Sequence, residues 1–365
     1  MKKNMNNELK IVSLFSGIGG FEEGIINSKL NGKVIFASEI DKYASKSYEL
    51  NFGKKFLYGD VKQIKEESVP DHDFLCAGFP CQSFSIAGKQ NGFKDTRGTL
   101  FFDVVRILKS KKPKYILLEN VKNLISHDRG KTIRVILNVL QDLGYVVDFT
   151  VINSNEAGLP QNRERTYIIG ILNGKVYKYT TDNRNKQVNT LKQELNKKKE
   201  TKSFNFFDKV TLTDKKMCLL NILETNVEKK YYYSSEIIDD YLKNIHINYD
   251  KNIENKIIKI LDLPREVHND LERQRRVYSI YGISPTILAR SDTTKILLEE
   301  KGNYSIRKLT PKETFLAQGF DENFIDNLIN GGISDTQLYK QSGNAVSPPV
   351  ITAIVDCMMS LMWGD

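Results

Sequence analysis

From Lys10 to about Leu172 the chain alternates short apolar, β-branched runs with segments of helical spacing. The runs are KIVSLF, KVIFASEI, KFLYGDV, HDFLCAGF, KYILLENV, YVVDFTVI and RTYIIGI. Strands alternating with helices predict a parallel sheet wound on both faces. GTLFFDVVRILKS, residues 98–110, has apolar positions at helical spacing, and Pro113 ends it.

Beyond Leu172 the rhythm is lost. Residues 173–275 are rich in Lys, Asn and Asp, with a charge run at 197–200 and scattered aromatics such as Tyr231, Tyr232 and Tyr233. Helical order returns in LTPKETFLAQGF: Thr310 is the expected N-cap, Pro311 the first helical residue, Glu313 the partner in a capping box, and Gly319 the stop. SPPVITAIVDCMMSLM then starts a helix at Ser347 and Pro348, with Val350, Ile351, Ile354, Val355, Met358 and Leu361 along one apolar side. That side needs a core, so the tail is expected to fold back onto the N-terminal sheet. The expected division is a discontinuous domain of residues 1–175 and 308–365 around a smaller domain, 176–307.

Composition adds little to the fold and more to the partners. A chain of 365 residues is long for one core. Its 40% hydrophobic and 27% charged residues fit a globular protein. A net charge of +9 suits a polyanion, although basic surfaces also serve solubility. The four cysteines are spread without CxxC or Cys/His spacing, so neither disulfides nor a metal site is expected. The basic start MKKNMNNELK leads into a strand and not into the apolar core of a signal peptide, and no apolar run approaches membrane-spanning length. A cytoplasmic protein with no membrane partner is expected, with a monomer as the simplest state.

The candidate chemistry gathers at strand ends. LFSGIGGF places Gly17, Gly19 and Gly20 in the first βα turn, with GxGG spacing and not the GxGxxG that cradles a pyrophosphate. Glu39 ends the second strand and Asp60 the third. Two carboxylates along one crevice suit a nucleoside with donors on ribose and base, and S-adenosylmethionine fits better than a phosphorylated cofactor. In GFPCQSFS, Cys81 follows the stiff Pro80 and precedes QSFSIAG, whose amides would favour a thiolate if a helical turn begins there, whereas Cys76 lies inside an apolar strand. KYILLENV delivers Glu119 and Asn120 to the same edge. Gln161, Arg163 and Arg165 alternate in QNRER and share a face if the segment is extended. Taken singly, each feature also has a plain structural reading: a tight turn with solvated acids, an inert thiol, a charged strand rim.

Together they match one reaction. C5 of cytosine is a poor nucleophile, but a thiolate adding to C6, with a proton or strong hydrogen bond supplied at N3, converts the ring to an enamine that can attack a sulfonium methyl. Cys81 would add, Glu119 act at N3, and Arg165 hold O2 as charge builds. The base that removes the C5 proton has no candidate.

This constellation resembles the cytosine-C5 DNA methyltransferases of bacterial restriction-modification systems, through LFSGIGGF, SEID, GDV, GFPCQSFS, ENV, QNRER, LTPKETFLAQGF and QSGNAVSPP. The resemblance implies a Rossmann-like, S-adenosylmethionine-dependent α/β sheet with helices on both faces and a target recognition domain. It implies a catalytic set of Cys81, Glu119, Arg163 and Arg165. It implies cofactor contacts from Phe15, the three glycines, Glu39, Ile40, Asp60, Val61, Pro80, Leu100, Asn344 and Val346, with S-adenosylhomocysteine as product. The target cytosine would be turned out of double-stranded DNA, with contacts from Gln82, Ser85, Lys89, Arg97 and Gln161. RQRRVYSIYGISPTI is similar to the most recognisable part of the recognition domain and makes Arg273, Arg276 and Thr286 DNA contacts, Arg276 to a guanine. A cognate restriction endonuclease is the expected companion. The competing readings are a tRNA cytosine-C5 methyltransferase on the same motifs, a silent DNA-binding subunit, and a nicotinamide oxidoreductase.

Overall fold

The computed structural model describes residues 8–80, 100–181, 185–198, 203–244 and 251–363. Contacts divide the chain into two compact units: residues 1–152, 164–211 and 350–365 form the first, and 153–163 with 212–349 the second.

The first unit is built on a seven-stranded sheet in the order β3-β2-β1-β4-β5-β7-β6. Its strands are β1 (Leu9–Leu14), β2 (Gly32–Ser38), β3 (Leu57–Tyr58), β4 (Phe74–Gly78), β5 (Tyr115–Val121), β6 (Tyr145–Asn153) and β7 (Glu164–Leu172). β1 to β5 pair in parallel, and β7 runs antiparallel to β5. The reversed β7 departs from the all-parallel expectation. The winding turns back between β1 and β4, and the crevice outside the carboxyl ends there is where such sheets take ligands. The middle strands are apolar throughout because helices cover the sheet: Val12, Leu14, Leu75, Ala77, Ile116 and Leu118 share one core with Val104, Ile107 and Leu108 of α3 (Leu100–Lys111) and Ile133, Ile136 and Leu140 of α4 (Lys131–Asp142). The other helices of this unit are α1 (Gly20–Ile26), α2 (Lys42–Phe52), α5 (Lys186–Lys198) and, after Pro349, most of α11 (Pro348–Trp363). Thr352 of α11 donates to the Gly24 carbonyl at 2.8 Å, and Asp356 accepts from the Lys29 amide at 2.7 Å, so the tail docks on α1 and the turn after it.

The second unit holds a five-stranded sheet in the order β8-β12-β11-β10-β9. These strands are β8 (Tyr232–Tyr233), β9 (Lys259–Asp262), β10 (Arg276–Ser279), β11 (Lys295–Glu300) and β12 (Asn303–Lys308). Helices α6 (Glu236–Asn244), α7 (Glu272–Arg275), α8 (Pro311–Gln318), α9 (Glu322–Asn330) and α10 (Asp335–Asn344) complete it. α8 has the expected ends: Thr310 and Glu313 form the capping box, and Gly319 closes the helix at φ 85°.

Buried charges bind two stretches, 186–207 and α8, each to its own unit. Lys192 on α5 lies 3.1 Å from Asp148 on β6, both fully buried, and Asp148 also accepts from the Phe207 amide at 3.0 Å. This polar pair, with Val188, Leu191 and Leu195 in the core, binds 186–207 to the first unit. Arg307 on β12 makes two 2.7 Å bonds to Glu313, whose carboxylate also takes the amides of Thr310 at 2.8 Å and Glu224 at 2.9 Å. That network, with Ala317 packed among Leu219, Ile222 and Ile296, binds α8 to the second unit.

Candidate active site

The first βα turn needs left-handed backbone. Phe15, Gly17 and Gly19 have φ of 56°, 57° and 97°. A Cβ on Gly19 would fall 2.0 Å from the Phe52 ring. The turn exposes the Gly17 amide, which donates to Glu39 Oε2 at 2.8 Å, while Glu39 Oε1 accepts from the Asp41 amide at 2.7 Å. Burial pushes the Glu39 carboxyl up, and these two amides oppose it. Asp41 in turn caps α2 by accepting from the Tyr43 and Ala44 amides. One oxygen of Asp60 accepts from the Lys62 amide at 3.0 Å, and Val61 beside it is buried. Arg106 fixes that turn, donating to the carbonyls of Val61 and Ile64. Ile40 is 71% exposed, an apolar face next to two acids. Pro80 is exposed, and Phe15 and Leu100 are half-buried.

Beneath the turn lies a group that sequence reasoning missed. Glu22 on α1 is buried and accepts from the Tyr48 hydroxyl at 3.3 Å. Burial lifts its carboxyl to about 7. Cys76, registered opposite Ser13, is fully buried, and burial together with the Glu22 charge pushes its thiol well up, so it is inert as a nucleophile.

At the end of β5, Glu119 is registered opposite Gly78 on β4 and Tyr167 on β7. Arg165 Nε lies 3.2 Å from Glu119 Oε1, with both side chains largely buried. A Cβ on Gly78 would stand 3.6 Å from Glu119 Oε2, so the carboxylate faces the strand that leads to Cys81. Asn120, read from sequence only as a strand-end residue, donates to the Phe79 carbonyl at 2.7 Å and accepts from the Val121 amide at 2.9 Å. It therefore holds the backbone just ahead of Pro80. Lys122 clasps Glu164 with bonds of 2.8 and 2.7 Å and steadies the start of β7. Cys81, Gln82, Ser85, Lys89 and Arg97 lie outside the described residues.

The alternating side chains of QNRER fall on either side of the start of β7. β7 begins only at Glu164, and Gln161 and Arg163 belong to the second unit. There Gln161 accepts from the Ile287 amide at 2.9 Å, and Arg163 reaches the carbonyls of Gly343 at 3.0 Å and Ala345 at 2.8 Å. In the same unit Thr286 donates to the Asn162 carbonyl at 2.7 Å, Asn344 is exposed, and Val346 is buried. Arg276 pairs with Glu272 one helical turn earlier, at 3.1 Å, and Arg273 is exposed.

No helix among the described residues is long and apolar enough to cross a membrane. A model of the C-5 cytosine-specific DNA methylases matches residues 9–360. The type II methyltransferase M1.ScrFI of Lactococcus lactis subsp. cremoris is 39% identical over 359 residues, covering 97% of this chain and 78% of that protein. M.HpaII of Haemophilus parainfluenzae is 38% identical over 367 residues, covering 96% of this chain and 89% of that protein. Among solved structures, the Dnmt2 methyltransferase of S. pombe has a TM-score of 0.69 at 16% identity, covering 98% of this chain and 100% of that one. This last likeness speaks to the fold alone, that of the S-adenosylmethionine-dependent methyltransferases. The strand-end acids, the Glu119–Arg165 pair and the match along nearly the whole chain agree, and the chain belongs to the C-5 cytosine-specific DNA methylases, enzymes that methylate cytosine in DNA.

Proposed function

We propose that Cys81, Glu119 and Arg165 carry out methyl transfer to C5 of a cytosine turned out of a short, specific duplex sequence. The observation that carries this reading is the Glu119–Arg165 pair at 3.2 Å, set at the strand end opposite Gly78, three residues before Cys81. The Cys81 thiolate adds to C6, Glu119 shares or gives a proton at N3, and Arg165 takes the growing charge at O2. C5 then accepts the methyl group, and loss of its proton with departure of the sulfur restores the ring. Turning the base out of the stack costs a few kcal/mol, which protein contacts to the opened duplex must offset.

The residues present fit S-adenosylmethionine. Glu39 is held by two amides with lone pairs to spare for hydroxyl donors, Asp60 has a second oxygen, and Ile40 offers an apolar surface to a base. When bound, that cofactor supplies the electrophilic methyl. Phe15, Gly17, Gly19, Gly20, Val61, Pro80 and Leu100 are proposed to line the same pocket, with Asn344 and Val346 as further contacts. Residues 176–307 are proposed to read the target, through Arg273, Arg276 and Thr286. For Arg276 this requires trading Glu272 for a guanine edge. Gln82, Ser85, Lys89 and Arg97 are proposed to contact the opened duplex. A monomer working in the cytoplasm beside a cognate restriction endonuclease completes the reading.

Bisulfite sequencing of plasmid DNA from cells expressing the protein tests it, reporting the modified base and its sequence context together. Duplex DNA containing 5-fluorocytosine should trap an adduct through Cys81, detected by mass spectrometry. Methyl transfer to tRNA with none to duplex DNA would overturn the assignment of substrate.

A further inference from the structure

Within the second unit, the segment 160–163 lies along the segment 284–287, and main chain does most of the joining. The Ser284 amide donates to the Pro160 carbonyl at 2.8 Å, and the Asn162 amide donates back to the Ser284 carbonyl at 2.8 Å. Gln161, fully buried, spans outward from this pairing, accepting from the Ile287 amide at 2.9 Å and donating to the Ala317 carbonyl at 3.3 Å. Arg163 is 3% exposed. Its guanidinium donates to Gly343 and Ala345, with Ile287 at the outer limit of 3.5 Å. Gly343 and Ala345 stand at the C-terminal end of α10, where helix carbonyls lack partners and the helix dipole favours a cation. Arg163 therefore caps α10 from outside and ties it to Ile287. The join is tight from the other side as well, since a Cβ on Gly343 would fall 2.4 Å from the backbone of Leu288 and Ala289.

We infer that Gln161 and Arg163 are positioning residues, a clamp that fixes the 284–289 segment against the end of α10. The expected DNA contact Thr286 sits on one side of the clamp, and the expected cofactor contacts Asn344 and Val346 sit on the other. Their spacing is set by bonds to main-chain atoms. The inference rests on the reading of those three residues proposed above, and it gives Arg163 a task distinct from that of Arg165, two positions on.

The test compares Arg163→Ala, Arg163→Lys, Gln161→Ala and Gly343→Ala. Gly343→Ala pries the same segments apart while leaving the arginine side chain in place. In each variant the KM for cofactor and the KM for duplex DNA should rise together. Losing buried hydrogen bonds of this kind is worth about tenfold or more in Arg163→Ala and Gly343→Ala, with less in Arg163→Lys. The kcat should stay within about threefold of the parent, as uniform binding losses leave the chemical step alone. In the cofactor-free chain, hydrogen exchange at the Ile287 amide should speed up in all four. A collapse of kcat in Arg163→Lys with both KM values and Ile287 exchange unchanged would assign the side chain to the reacting base and overturn the clamp. If Arg163→Ala does not fold, Arg163→Lys and Gly343→Ala decide the matter by the same measurements. Absence of methylation by the parent protein would remove the functional reading, while accelerated Ile287 exchange would still report the clamp.

Discussion

The large sheet of the first unit and the five-stranded sheet of the second place their polar groups differently. In the first, β1 to β5 are largely apolar and acids appear where strands end: Glu39 after β2, Asp60 after β3, Glu119 near the end of β5, the buried Asp148–Lys192 pair at β6 being the exception. In the second, charges sit inside the packing. Arg307 and Glu313 are fully buried together, and Lys295, almost fully buried, donates to the Gln274 carbonyl at 2.7 Å and to Asp292 at 2.5 Å. A charge paired deep within the fold holds position, because breaking the pair would leave its partner buried and uncompensated. A carboxylate at a strand end lies on the edge of the sheet where ligands bind. Strand ends carry the acids of the first unit, and paired buried charges brace the sheet of the second.

The sharpest way to break this contrast is Glu119→Gln. General acid catalysis of this kind is worth about 10²- to 10⁴-fold, so kcat should fall by that order while cofactor affinity and thermal stability hold. Equal losses in turnover and in cofactor binding would make Glu119 a structural residue instead. In the second unit the expected effect is on stability. Arg307→Met strands a buried carboxylate, at about 3–5 kcal/mol by denaturant titration. A change within experimental error there would mean that the pair holds nothing.

Glu22 sharpens the comparison, as a buried acid in the first unit with no role at the surface. Its folded value of about 7 lies above the 4.5 of a free carboxyl. Below about 4.5 it is protonated in both states and contributes nothing. As pH rises from there to about 7, the unfolded chain gives up a proton that the folded chain keeps, so stability falls across that window and stays lower above it. Glu22→Gln should flatten the pH dependence of Tm between about 5 and 8. An unaltered slope would place the titration elsewhere. The smallest effect is expected from Asp41→Ala, which removes the cap of α2 at about 1 kcal/mol. Because Asp41→Ala keeps the main-chain amide that holds Glu39, the cofactor KM should stay near that of the parent, and a marked rise in KM without loss of stability would show that the side chain serves the site as well as the cap.

Much of the first unit was legible because buried parallel strands leave continuous apolar runs, and α8 of the second because a cap such as Thr310 with Glu313 leaves its signature at fixed spacing. The strand-end residues Glu39, Asp60 and Glu119 were legible for the same reason. What sequence concealed was which core each element joins. The Lys-rich α5 looks like a solvated helix, yet Val188, Leu191 and Leu195 face inward and even Lys192 is buried against Asp148. α8 carries an apolar side, but nothing in its pattern says that the core it meets is that of Leu219 and Ile296. The β8 and β9 strands, of two and four residues, are too short to show alternation. The alternation of Gln161, Arg163 and Arg165 suggested one face because a strand was assumed to start early. The strand starts only at Glu164, after Gln161 and Arg163.

The clamp on 284–289 bonds to amides and carbonyls, which every amino acid carries. Leu288 and Ala289, both exposed beside Thr286, are therefore free to differ without loosening the anchorage beneath them. A surface segment fastened in this way can be rewritten one side chain at a time, its outward chemistry changing while the main-chain stitching stays in place.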